Sequence, residues 1–189
     1  VDGIGTSAVT TRVFKRPPSI NLYALSPESL GPQAKVVLSA GPSSVVYPTA
    51  NLAILVPFEL ERPVAYASLW VFNGSAVSGN FDVGVYTNDG TNTAARVVST
   101  GSTAQSGTSV PQSVASAFTL QRGSYYLALC CDNTTATFFA KVPALVNIGE
   151  TVGLAQVANG AVTLPSSLTL AASTTAYLPM FGISQKAAV

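Results

Sequence analysis

Histidine is absent from this chain of 189 residues, which removes the commonest general base and the commonest zinc and iron ligand. Charge is scarce as well. Lys and Arg number 9 and Asp and Glu 8, together 9% of residues, against about 25% in an ordinary soluble protein. The formal net charge of +1 lacks the basic excess that neutralises phosphates, so direct nucleic-acid contact is not expected. Long apolar runs are missing too. No run is longer than Leu52–Phe58, which contains Pro57 and is far short of the roughly 20 residues of a membrane-spanning helix, so membrane insertion is not expected. Cysteine is confined to the adjacent pair Cys130 and Cys131. Neighbours on a strand point to opposite faces, so two buried free thiols are expected rather than a disulfide, in keeping with a reducing cytosol. Val1–Ser19 has no apolar stretch of the secretory kind, so no signal peptide is expected there. On the same ground the sequons Asn73-Gly74-Ser75 and Asn133-Thr134-Thr135 read as turns.

What is present is apolar and β-prone. Hydrophobic residues reach 48% and mean hydropathy is +0.40, which with near-zero net charge argues against disorder. The length suits a single domain able to bury about 70% of its unfolded surface without metal or disulfide. Helical periodicity is nearly missing, while Ala, Val, Ser and Thr runs alternate with Gly and Pro, the spacing of an all-β sandwich or barrel. Residues 1–44 read as an extended Pro-rich N-terminal arm with one strand at Ala34–Ser39, packed on its own body or a neighbour. Residues 45–189 read as an antiparallel β-sandwich, jelly-roll-like from its strand number. Its strands are expected at Asn51–Leu60, Val64–Phe72, Phe81–Thr87, Ala95–Thr100, Ser113–Leu120, Ser124–Asp132 and Thr135–Lys141. Thr151–Val157, Ala161–Leu164, Ser167–Leu170 and Ala176–Ile183 follow. Asn88-Asp89-Gly90 marks a tight hairpin, and Ser99–Ser113 reads as a long exposed loop.

Few residues suit chemistry. Glu59 and Glu61 at i, i+2 on a strand would stand about 7 Å apart, a glycosidase-like separation, although a strand end with a solvated charge cluster is the stronger account of Glu59-Leu60-Glu61-Arg62-Pro63. Asp82, Asp89 and Asp132, with Asn88 and Asn92, carry the oxygens of a rim calcium site, yet turn formation accounts for them without a metal. Ser184 and Lys186 form a nominal dyad in a frayed tail. Trp70, Tyr86 and Tyr126 are candidate stacking platforms for sugar rings, with Tyr66, Trp70 and Phe72 read as sharing one strand face. Cross-strand core packing is the competing account. No catalytic residue, metal or cofactor is expected. Between Val142 and Gln185 the sole charged residue is Glu150, and burial against other copies explains so uncharged a stretch.

Several segments form a familiar pattern. Phe58-Glu59-Leu60-Glu61-Arg62-Pro63 leads into Val64–Phe72, followed by Gly79-Asn80-Phe81-Asp82-Val83-Gly84-Val85-Tyr86 and Asn88-Asp89-Gly90. Then come Arg96-Val97-Val98-Ser99-Thr100-Gly101, Phe118-Thr119-Leu120-Gln121-Arg122-Gly123-Ser124-Tyr125-Tyr126-Leu127-Ala128 and Ala176-Tyr177-Leu178-Pro179-Met180-Phe181-Gly182-Ile183. Over roughly residues 50–183 the chain resembles the β-sandwich modules of tailed-bacteriophage virion proteins: head decoration proteins, head fibres and tail appendages. The resemblance implies a non-enzymatic particle component made in bacterial cytosol, with a capsid decoration or head-fibre role ahead of a tail-fibre one. It implies a homo-oligomer, a trimer being one form, bound to other virion proteins. On this reading Arg12, Phe14, Lys15 and Arg16 of the arm are the anchoring contacts. Two other readings stay open: a carbohydrate- or receptor-binding module using Trp70, Tyr86 or Tyr126, with a host-surface glycan as partner, and a hydrolase using Glu59 and Glu61.

Overall fold

The computed structural model describes residues 42–142, 154–175 and 177–185. The arm contacts Arg12, Phe14, Lys15 and Arg16, the expected strand Ala34–Ser39, and Glu150 and Lys186 lie outside the described residues. In chain order the strands are β1 (Ser43–Val46), β2 (Leu52–Leu60), β3 (Val64–Phe72), β4 (Asn80–Thr87), β5 (Thr93–Ser99), β6 (Thr103–Ala104) and β7 (Pro111–Leu120). The rest are β8 (Gly123–Cys131), β9 (Thr137–Lys141), β10 (Ala155–Ala158), β11 (Ser167–Thr169), β12 (Ala171–Ala172), β13 (Leu178–Pro179) and β14 (Phe181–Gln185). Every pairing is antiparallel, and no helix occurs among the described residues. The fold is all-β.

One layer is an eight-stranded sheet in the order β11-β5-β4-β8-β2-β10-β12, with β6 also paired to β4. The other consists of two short sheets, β14-β3-β7 and β1-β9-β13. These meet at Met180, whose N–H donates to Phe139 and whose carbonyl accepts from Phe72 N–H, at 2.7 and 2.8 Å. The segment from Leu178 to Gln185 therefore leaves β9 and joins β3, and the expected strand Ala176–Ile183 is split in two. Between the layers, Ile54, Val56 and Phe58 of β2, Phe81, Val83 and Val85 of β4, and Leu127 and Leu129 of β8 pack against Leu69, Val71, Phe138, Phe181 and Ile183. Period-2 alternation sends the intervening residues to the other face. There Ala53, Leu55, Tyr86, Ala128 and Cys130 form a second cluster under Leu164 and Leu168. The large sheet is thus buried on both sides, which is why Leu52–Phe58 is apolar throughout rather than alternating. Cys130 and Cys131 fall in opposite clusters, both buried and free, as their adjacency implied.

Other segments differ from the sequence reading. Ser99–Ser113 is not simply an exposed loop: it contains β6, and Gln105 is buried, its amide donating to Asn73 Oδ1 and to the Thr137 carbonyl. Ala161–Leu164 is no strand. Asn159 Nδ2 donates to the carbonyls of Ala161 and Thr163 and curls the chain back. The register of β3 against β7 slips between Tyr66 and Ser68. As a result Tyr66 faces the core with Leu69 and Val71, while Trp70 and Phe72 stand half-buried on the other face.

Candidate functional site

Of the three candidate stacking aromatics, Tyr86 and Tyr126 stand directly opposite each other on β4 and β8, on the same face of the large sheet, and Trp70 lies apart from both. Tyr86, on β4, is fully buried, and its hydroxyl donates to the Pro165 carbonyl at 2.6 Å. It offers no ring face to a sugar, which corrects the sequence expectation; alternation along β4 could not show that residues after Leu154 cover this side. Trp70 lies on β3 in the opposite layer, its indole against Gly182, where a Cβ would come within 2.6 Å of the ring. Glycine at 182 is what lets the indole lie on β14. Tyr126, on β8, is half-buried and lines a cleft of about 320 Å³ with Thr91, Asn92, Leu170 and Ala171. That cleft combines one aromatic ring with an amide and a hydroxyl.

The carboxylates are dispersed. Glu59 is the penultimate residue of β2 and Glu61 lies in the following turn, both exposed, and with Arg122, Gly123 and Ser124 they line an open depression of about 460 Å³. Glu59 Oε1 lies 3.4 Å from Ser124 Oγ. Among the described residues, both carboxylates lie open to solvent at this rim. Asp89 accepts from the Thr91 hydroxyl and N–H at 2.7 and 3.0 Å, which lowers its pKa and closes the hairpin. Asp132 accepts from Asn80 N–H and Asn133 Nδ2. The sequon asparagines are engaged too: Asn73 is buried and donates to the Ser106 carbonyl and Gln112, and Asn133 donates to the Ser78 carbonyl.

Asp82 is the buried one. It points from β4 to the outer face, accepting Leu164 N–H at 2.9 Å on Oδ2 and the Thr100 hydroxyl at 3.0 Å on Oδ1. Burial raises its pKa, against the lowering pull of those bonds and of Arg96. Arg96 also donates to the Leu164 carbonyl, so both polar groups of Leu164 are tied to the sheet. Below it Gly84 leaves the room that Leu164 fills; a Cβ there would stand 2.9 Å from Leu164 Cδ1 and 3.0 Å from the Val98 carbonyl. Cys130 Sγ meets the Ala161 carbonyl at 3.6 Å, and burial pushes this thiol up to about 12. Asp82, Gly84, Tyr86 and Cys130 form one latch. The sequence signal for it was an Asp at an alternate position within an otherwise apolar strand.

The surface carries a different kind of site. Among the described residues the terminal strands of the three sheets are β1 and β13, β11 and β12, and β14 and β7. None of them holds a charged residue. The strand residues that are charged, Glu59, Asp82, Arg96 and Lys141, lie on β2, β4, β5 and β9, all of them interior. Proteins that stay single usually place charge on the edges to block further pairing. Here the distribution is inverted. No family model, curated protein or solved structure matches the chain. In the sequence, only the C-terminal part of these edges is signalled, by the missing charge after Val142.

Proposed function

We propose that this chain is a non-enzymatic structural subunit of a tailed-phage virion, acting as a capsid decoration or head-fibre protein. It stabilises the particle through contacts with its own copies and through the arm carrying Arg12, Phe14, Lys15 and Arg16. The uncharged sheet edges carry this reading, because they leave hydrogen-bonding strand edges open to neighbours. The resemblance of residues 50–183 to phage β-sandwich modules supplies the class of particle. The expected result is a sedimentation mass that is a multiple of 19.3 kDa and co-sedimentation with phage particles. A lasting monomer that binds neither heads nor tails overturns the proposal.

A second reading rests on the Tyr126 cleft, whose ring, amide and hydroxyl suit a pyranose of a host-surface glycan. If that reading holds, Tyr126→Ala abolishes retention on the glycan that the parent chain binds. A glycan array with no signal above background for the parent removes it.

A further inference from the structure

The longest free edge is the outer side of β7, a strand of 10 residues that is paired to β3 and, among the described residues, to no other strand. Its exposure alternates without a break: Ser113, Ala115, Ala117 and Thr119 are exposed, and Gln112, Val114, Ser116 and Phe118 are half-buried. Strand periodicity therefore continues through the register slip opposite Tyr66 and Ser68. Read outward from Ser116, the sequence mirrors itself. Ala115 and Ala117 flank it, then Val114 and Phe118, then Ser113 and Thr119. An antiparallel strand meeting its own copy about a two-fold axis at one residue sets equidistant positions opposite each other.

We propose that β7 pairs antiparallel with β7 of a second copy about a two-fold axis at Ser116. The sheet β14-β3-β7 of each chain then continues into that of the other. This rests on reading the chain as an assembling subunit, and it names the edge and the partner. In this register Val114 meets Phe118 twice on the half-buried face, a β-branched residue against an aromatic. On the exposed face Ala115 meets Ala117 and Ser113 meets Thr119, small against small and hydroxyl against hydroxyl. No charge meets its like. A partner of different sequence would use none of this mirror symmetry, which is why the occupant is a second copy.

Cysteine scanning of the full chain tests the pairing. Ser116→Cys meets itself across the axis, within the Cα separation a disulfide accepts, and is expected to link into a dimer under mild oxidation. Ser113→Cys copies stand about 20 Å apart by strand rise and are expected to stay unlinked. The native thiols are buried and do not compete. The double variant Ala115→Lys, Ala117→Lys sets like charges opposite and is expected to halve the sedimentation mass from two chains to one, with its thermal midpoint kept. Should that variant fail to fold, the cysteine pair decides alone. Equal linking at residues 113 and 116, a mass of three chains, or a folded lysine variant that stays dimeric each overturns the pairing. A parent chain that is monomeric yet co-sediments with phage particles overturns it too, while leaving the subunit reading standing.

Discussion

Replacing Asp82 by alanine is expected to open the outer cover before the sandwich unfolds, making Cys130 reactive while Cys131 stays protected. The substitution leaves Leu164 N–H without its buried acceptor and the Thr100 hydroxyl with only the Gly101 carbonyl, at about 2–3 kcal/mol. Local opening costs less than global unfolding, so the loss appears first in the segment that Leu164 anchors. Cys130 lies under that segment and Cys131 in the inner core. Intact-mass labelling with a thiol reagent should show a first label arriving about 30–100-fold faster than in the parent, since each 1.4 kcal/mol is about tenfold, and the second unchanged. Two labels entering together would mean that the cover and the core are one cooperative unit.

Asp82→Asn separates shape from charge. The carboxamide keeps an oxygen for Leu164 N–H and turns its amide toward Thr100, whose hydroxyl then accepts. Stability near neutral pH is expected to stay within about 1 kcal/mol of the parent. The pH response is expected to differ. Burial raises the Asp82 carboxyl in the folded chain, so the folded state takes up a proton at higher pH than the unfolded state does. The ionised carboxylate therefore opposes folding fully above its native value, and that opposition is relieved as pH falls through it toward the unfolded range near 3.9. Urea midpoints measured across this acid window should show the asparagine variant lacking that upward term. Identical pH profiles would remove Asp82 from the account.

Phe138→Ala is expected to cost the most stability. Its ring is fully buried on β9, edge-on to Tyr47 at 5.8 Å and to Phe81 at 6.3 Å. Phe81 belongs to the large sheet and Phe138 to the opposite layer, so this contact bridges the sandwich. Truncation of such a ring costs about 3–5 kcal/mol in lost transfer energy and residual cavity, lowering the thermal midpoint by roughly 10 °C or more. Tyr47 resists collapse into the gap because its hydroxyl is held by the carbonyls of Leu52 and Leu129 at 2.6 and 2.7 Å. A drop of only a degree or two in calorimetry would show that the cavity closes after all.

The sequence was informative where a feature is local. Val64–Phe72 falls at its expected bounds, because Pro63 precedes it and Asn73-Gly74 follows it. Cys130 and Cys131 separate by strand alternation alone. Legibility failed where a residue's surroundings come from far along the chain. Tyr86 and Asp82 face a layer built some eighty residues later, from Leu164 and Pro165. Gln105 sits in a polar, small-residue stretch that looks solvated, yet its amide is buried by partners from residues 73 and 137. The edge strands were hidden for the same reason: only the pairing order shows that the charged strands are inside.

The division at Met180 has a bearing on how the chain is made. β3 and β9 leave the ribosome well before the segment from Leu178 to Gln185, which completes both of their sheets. Val71 waits for Phe181 and Ala140 for Pro179, pairings of long sequence separation that form slowly. Until that segment emerges, a nascent chain carries two half-built sheets with open inner edges. These two sheets therefore close together, through one shared segment, rather than one after the other.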